Sequence, residues 1–202
     1  MSRGSEELAA ALRELEGFPH PWSVCGGWAI DLWLGEETRE HEDVEIGILR
    51  ADQASVRSYF AGRDLFKSVE SGWAPWLEGE WLALPIHQVL VRPPGAGPIE
   101  EPWEPIPGEI EFFLNDVEDG VWLCRRDERV TRPAGETTTR TASGAPIVVP
   151  EIQLLYKAKH HLDKDEHDFR QAVGTLTPPQ RAWLREALEI VHPGDPWLDS
   201  LQ

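Results

Sequence analysis

Cysteine is scarce in this 202-residue chain: only Cys25 and Cys124 are present, each beside apolar, strand-like residues. A pair so placed predicts buried free thiols rather than a disulfide framework. No apolar run approaches the ~18 residues that a membrane-spanning helix needs. The first residues, Met1-Ser2-Arg3-Gly4-Ser5, lead into charged positions rather than an apolar signal segment, so a cytoplasmic protein is expected. Basic residues are few, 19 Lys and Arg against 36 Asp and Glu, for a formal net charge of -17. That balance argues against DNA or RNA backbone as partner, which demands clustered Lys and Arg. It suits either a solvated acidic surface or a cationic ligand drawn in by the field. A Walker motif, a Gly-x-Gly-x-x-Gly fingerprint and a Gly-x-Ser-x-Gly elbow are all missing.

What is present is a pair of acids in an unusual place. Asp43-Val44-Glu45 opens an apolar alternation with Val44, Ile46 and Ile48. On a strand, carboxylates at i and i+2 share a face, whereas a helix sets them about 200° apart. Two acids on one face repel unless a cation lies with them, and Mg²⁺ is commonly held by one or two carboxylates plus phosphate oxygens. Upstream, Gly26-Gly27 precedes a helical pattern running from Trp28 to Leu34. Glycines at a strand-to-helix turn allow backbone N–H groups to approach phosphate. Together these residues predict a site for Mg²⁺ and a nucleoside triphosphate.

Other candidates surround this nucleus. Glu111, in Glu109-Ile110-Glu111-Phe112, alternates with apolar residues on a second expected strand and is a third carboxylate for metal or for a hydroxyl proton. Arg39 is a candidate phosphate ligand, and His41 a candidate support for the acid strand. Lys157 and Lys164 are candidates to reach nucleotide phosphates; the Lys164-Asp165-x-x-Asp168 run reads equally well as ion pairing that orients helices. His160, His161 and His167 offer a zinc reading of the same region.

The pattern of elements divides the chain. Helix is expected over 6–16, strands over 22–25 and 43–49, and a helix from Asp52 to about Phe60. Short strands follow at 65–69, 81–84 and 89–92. A Pro- and Gly-rich crossing spans 93–108. A hairpin over 109–124 turns at Glu118-Asp119-Gly120, and a polar loop covers 132–145. Helices are expected over 151–163, 165–173 and 178–191, Pro150 marking the first start. The expectation is an α+β catalytic domain over 1–149 with a helical C-terminal region, 150–202, packed on it.

The run Gly26-Gly27-Trp28-Ala29-Ile30-Asp31, then Gly35, then Thr38-Arg39-x-His41-x-Asp43-Val44-Glu45-Ile46, resembles the antibiotic nucleotidyltransferases of the polymerase-beta-like superfamily. The groups it resembles are the aminoglycoside-2''-adenylyltransferase-like and lincosamide nucleotidyltransferase-like proteins. A looser likeness continues through Ile110-Glu111-Phe112, Trp122 with Arg125-Arg126, and Leu154 to Phe169. The resemblance implies a mixed β-sheet flanked by helices, ATP or another NTP as co-substrate, Mg²⁺, and transfer of a nucleoside monophosphate, AMP from ATP, onto a hydroxyl of a small acceptor. It implies that Gly26 and Gly27 hold triphosphate, that Asp43, Glu45 and Glu111 serve metal and catalysis, and that Asp31, Arg39, His41, Lys157, Lys164 and Asp168 bind nucleotide or support the site. Glu45 and Glu111 stand where such enzymes usually carry Asp. The alternatives are a toxin-like enzyme acting on RNA or protein, and a catalytically silent nucleotide-binding member of the fold.

Overall fold

A computed structural model describes residues 2–202. In chain order the elements are α1 (Arg3–Leu15), β1 (Trp22–Val24), α2 (Gly26–Leu34), β2 (Glu45–Leu49), α3 (Gln53–Tyr59), β3 (Asp64–Val69), β4 (Gly72–Pro75), β5 (Gln88–Arg92) and β6 (Ile110–Glu118). Then come β7 (Val121–Leu123), β8 (Thr131–Pro133), β9 (Thr138–Arg140), β10 (Pro146–Val148), α4 (Pro150–Lys157), α5 (Asp163–Ala172) and α6 (Pro178–Val191). The architecture is the expected α+β one, with strands through the first three quarters and helices at the end.

Contacts group the chain differently from the expected boundary at 149. One compact unit takes the residues up to Ser23 with Glu40–Asn115; the other takes Val24–Arg39 with Asp116–Gln202. The C-terminal helices share a unit with α2 and with β7 to β10.

In the first unit the strand order is β4-β3-β5-β6-β2, antiparallel except for the parallel β6–β2 pair. Strand periodicity sorts the side chains. Ile46, Ile48, Val89, Val91, Phe112 and Leu114 are all buried on one face. Phe18 and Phe60 pack on Phe112 at ring separations of 6.4 and 5.6 Å. The other face carries Glu45, Gln88, Leu90, Glu111 and Phe66, as the register pairs Glu45↔Glu111, Leu90↔Glu111 and Phe66↔Leu90 require. Over 93–108 the chain is the expected irregular crossing, and it is strapped down: the buried Arg92 donates to the carbonyls of Gly97 and Pro98 and pairs with Glu109.

Trp81–Leu84, expected as a strand, is irregular. Leu82 is fully buried, but its backbone bonds to side chains instead of a ladder: its N–H donates to Gln53 Oε1 at 2.7 Å, and its carbonyl accepts from Arg50 and Gln53.

The second unit holds β1-β10-β9, with Val24 and Ile147 in parallel register, and a meander of the β6 end with β7 and β8. The β6–β7 turn is the expected one, with Asp119 at φ 49° and Gly120 at φ 79°, the left-handed pair of a tight hairpin. The polar stretch expected as loop over 132–145 contains β8 in part and all of β9; its threonines favour extended backbone. The core gathers Ile30, Trp122, Leu154, Leu155, Phe169, Leu184, Leu188 and Trp197, with Phe169 and Trp197 stacked at 4.1 Å.

Candidate functional site

The acid face of the first unit follows from strand geometry. Burial alternates from Asp43, half-buried, to Val44, buried, to Glu45, half-buried, to Ile46, buried. The regular strand begins at Glu45, two residues later than expected, but Val44 already accepts the Glu111 N–H at 2.9 Å. Glu111 is the direct parallel partner of Glu45, so their side chains leave the sheet on one face about 5 Å apart at their bases. Glu111 is 5% exposed, and its Oε1 accepts from Gln88 Nε2 at 2.8 Å.

Mg²⁺ takes hard oxygen ligands and readily shares its shell between one or two carboxylates and phosphate oxygens. Asp43 and Glu45 have that donor chemistry. Among the described residues, no three His, Cys, Asp or Glu side chains form a set that could hold a metal by themselves. The residues thus fit a cation completed by a nucleotide's phosphates rather than a protein-only cage.

The glycine turn lies in the second unit. Gly26 opens α2 at φ 65°, a left-handed conformation that favours glycine, and both Gly26 and Gly27 are buried. Cys25 caps the helix without a side-chain hydrogen bond, so the first-turn N–H groups have no side-chain cap. Asp31, farther along α2, is buried and accepts from both the Thr38 N–H, at 2.9 Å, and the Thr38 hydroxyl, at 2.7 Å. Its role in the fold is to staple the loop after α2, one residue short of Arg39.

Arg39 and Lys157, both expected on phosphates, meet on Asp168. Arg39 donates through Nε and Nη2 to the two oxygens of Asp168 at 2.8 and 3.0 Å. Lys157 Nζ lies 2.7 Å from Asp168 and 3.2 Å from Asp165. Asp168 is fully buried. Burial pushes its carboxyl up, and the Arg39 guanidinium and Lys157 ammonium outweigh that, holding it below the usual carboxylate range. The helix-orienting reading of the Lys-Asp run therefore has its counterpart here, though the lysine involved is Lys157; Lys164 is exposed on the first turn of α5.

His41 is buried in the first unit. The histidines of the zinc reading do not converge: His160 is exposed, and His161 bonds Glu166 at 2.6 Å and Asp195 at 3.0 Å. Sequence reasoning missed Gln88. No signal marks it, since a polar residue at the head of a strand is ordinary and its hydrogen bond crosses to a neighbouring strand.

Residues 7–75 match the family model described as aminoglycoside-2''-adenylyltransferase, a stretch that includes Gly26, Gly27, Asp43 and Glu45 and stops short of Gln88 and Glu111. No curated protein matches the chain in sequence. Among solved structures, the lincosamide antibiotic adenylyltransferase LnuA, bound to lincomycin, is 18% identical with a TM-score of 0.54, the likeness spanning 82% of this chain and 94% of that one. ANT(2'')-Ia in complex with adenylyl-2''-tobramycin is 13% identical with a TM-score of 0.58, over 92% of this chain and 98% of that one. A solution structure of the antibiotic-resistance factor ANT(2'')-Ia is 14% identical with a TM-score of 0.59, over 92% and 90%. In fold the chain is similar to these adenylyltransferases, and over residues 7–75 its sequence matches the aminoglycoside-2''-adenylyltransferase family model.

Proposed function

We propose that this protein is an Mg²⁺-dependent nucleotidyltransferase that moves AMP from ATP onto a hydroxyl of a small, cationic acceptor. One observation carries the reading: the register of β2 on β6 sets Glu45 beside Glu111 on one face of the sheet, with Asp43 two residues ahead. Three carboxylates thus come from one strand pair and its lead-in. They suit a reaction that brings a phosphate chain, a cation and an acidic proton together. The solved neighbours, one with lincomycin and one with adenylyl-2''-tobramycin, support an antibiotic-like acceptor.

In this reading Asp43 and Glu45 hold Mg²⁺, which when bound offsets negative charge on the phosphates. In the second unit the Gly26 and Gly27 amides offer N–H groups to triphosphate oxygens. The acceptor oxygen attacks the α-phosphorus; the new O–P bond forms as the bond to pyrophosphate breaks, and pyrophosphate leaves with its electron pair. Glu111 takes the hydroxyl proton. A cytoplasmic location fits an ATP-consuming reaction and two unbridged thiols.

Calorimetry with a non-hydrolysable ATP analogue tests the site: binding should need Mg²⁺, and Asp43→Ala should abolish that dependence and lower turnover by on the order of a hundredfold or more. Unchanged Mg²⁺-dependent binding in Asp43→Ala would sink the assignment. Pyrophosphate release over a panel of aminoglycosides and lincosamides identifies the acceptor. A protein that binds Mg²⁺-nucleotide but releases no pyrophosphate is the silent member of the fold instead. The pairing of Arg39 and Lys157 with Asp168, which leaves two expected phosphate ligands engaged, is the observation that favours that second reading.

A further inference from the structure

Glu111 and Glu45 share a face, and one oxygen of Glu111 is held from the opposite side. Strand β6 lies between β2 and β5, and the donor that holds Glu111 Oε1, the Gln88 amide, comes from β5. The contact is diagonal: Gln88 registers with Phe113, two residues along β6, and side chains at that offset on one face reach each other. The backbone that delivers Gln88 is fixed from both sides. Downstream it enters the β5 ladder. Upstream, Arg50 donates to the carbonyls of Leu82 and Ile86 at 3.2 and 2.6 Å, and the His87 carbonyl accepts the Leu114 N–H at 2.9 Å. A flexible glutamate, one methylene longer than aspartate, thereby has one oxygen held by a donor on a firmly anchored strand.

We propose that Gln88 is a positioning residue: resting on the reading of Glu111 as proton acceptor, its amide turns that carboxylate toward β5 and keeps it out of the cation pair formed by Asp43 and Glu45. The two tasks are then divided between strands. The acids of β2 and its lead-in hold the cation, and the acid of β6 faces the acceptor hydroxyl.

The test uses the full-length protein with Mn²⁺ as the spectroscopic probe, read by electron paramagnetic resonance with a non-hydrolysable ATP analogue. Gln88→Leu keeps the volume and removes the donor. Its kcat should fall roughly 10- to 100-fold, as displacement of a reacting group does, while nucleotide KM and Mn²⁺ affinity stay within about twofold. Gln88→Asn, which keeps the amide on a shorter stem, should recover part of kcat. Glu111→Gln should likewise leave Mn²⁺ affinity intact. A loss of Mn²⁺ affinity of about tenfold in Gln88→Leu or Glu111→Gln puts Glu111 in the cation shell and overturns the division. Unchanged kcat in Gln88→Leu overturns the positioning role. Wild-type protein that binds no Mn²⁺ with nucleotide overturns the proposed function and this inference with it. One further reading needs no turnover: the Gln88 side-chain amide signals in an NMR spectrum should move in Glu111→Ala, and signals that stay put refute the contact.

Discussion

His161 lies beyond the end of α4 with φ at 48°, in the left-handed region that a bulky residue enters only when its surroundings insist. What insists is visible: Nδ1 meets Glu166, Nε2 meets Asp195, and the ring lies edge-on to Trp197 at 4.9 Å. Burial pushes the imidazole down, but its hydrogen bonds to Glu166 and Asp195 prevail and raise it above the ordinary histidine value. A raised histidine stabilises fully below its unfolded value, about pH 6.5, and loses that contribution as pH climbs through the folded value. Urea unfolding of the wild type should therefore show a stability term that declines above about pH 6.5, and subtracting the His161→Gln curve should isolate it. His192, held low by burial and by Arg126, has the opposite sign; because His161 adds to that depression, the difference curve also carries the part of it that His161 induces. A difference curve flat from pH 6 to 8 would refute the pairing. At this scale sequence and structure agree best where residue type and spacing coincide, as in the alternating burial from Asp43 to Ile46. They part where a partner arrives from a distant segment, as Gln88 does to Glu111 and Asp195 to His161.

Elements with local punctuation were legible in the sequence. Pro178 to Val191 forms α6 with the expected bounds, because Pro178 opens it and Thr177 with Gln180 make a capping box. The Asp119-Gly120 hairpin follows from its turn residues. Helix α4 stops at Lys157, six residues before its expected end, since His161 leaves helical space for its carboxylate partners. Strand β4 and the β8 to β10 strands went unread, being three or four residues long with little alternation. Between α4 and α5 the tie is electrostatic: Asp168 answers Lys157 from one helix and Arg39 from the loop after α2. A group of this kind, depressed below its unfolded value of about 3.9, stabilises above that pH and ceases to as pH falls through its folded value. Asp168→Asn leaves two cations without their shared partner, and should cost about 3–5 kcal/mol in urea unfolding at neutral pH. Lys157→Met should cost less, because Asp168 retains Arg39. Equal or smaller loss in Asp168→Asn would mean that the cations are satisfied elsewhere.

Over the whole molecule, the expected boundary at 149 marks where composition turns helical, whereas the compact units are set by strand pairing and helix packing, which composition does not record. Net charge, in contrast, is fully legible, and it has a kinetic consequence. Thirty-six acids against 19 bases give -17. Such a field raises the encounter rate of a cation and opposes that of an anion. Salt removes it: the Debye length contracts from about 30 Å at 0.01 M to about 8 Å at 0.15 M. If the acceptor is a polycationic aminosugar, kcat/KM for it should fall roughly tenfold over that range, as steered association does. A neutral hydroxyl acceptor of the same enzyme should show almost no change, and Mg²⁺-ATP, itself anionic, should if anything bind better as salt is added. The comparison separates surface field from specific contact, because general salt effects on folding or catalysis would move all three together. Salt-insensitive turnover of a cationic acceptor would assign the acidic excess to a solvated surface, with recognition resting on short-range contacts alone.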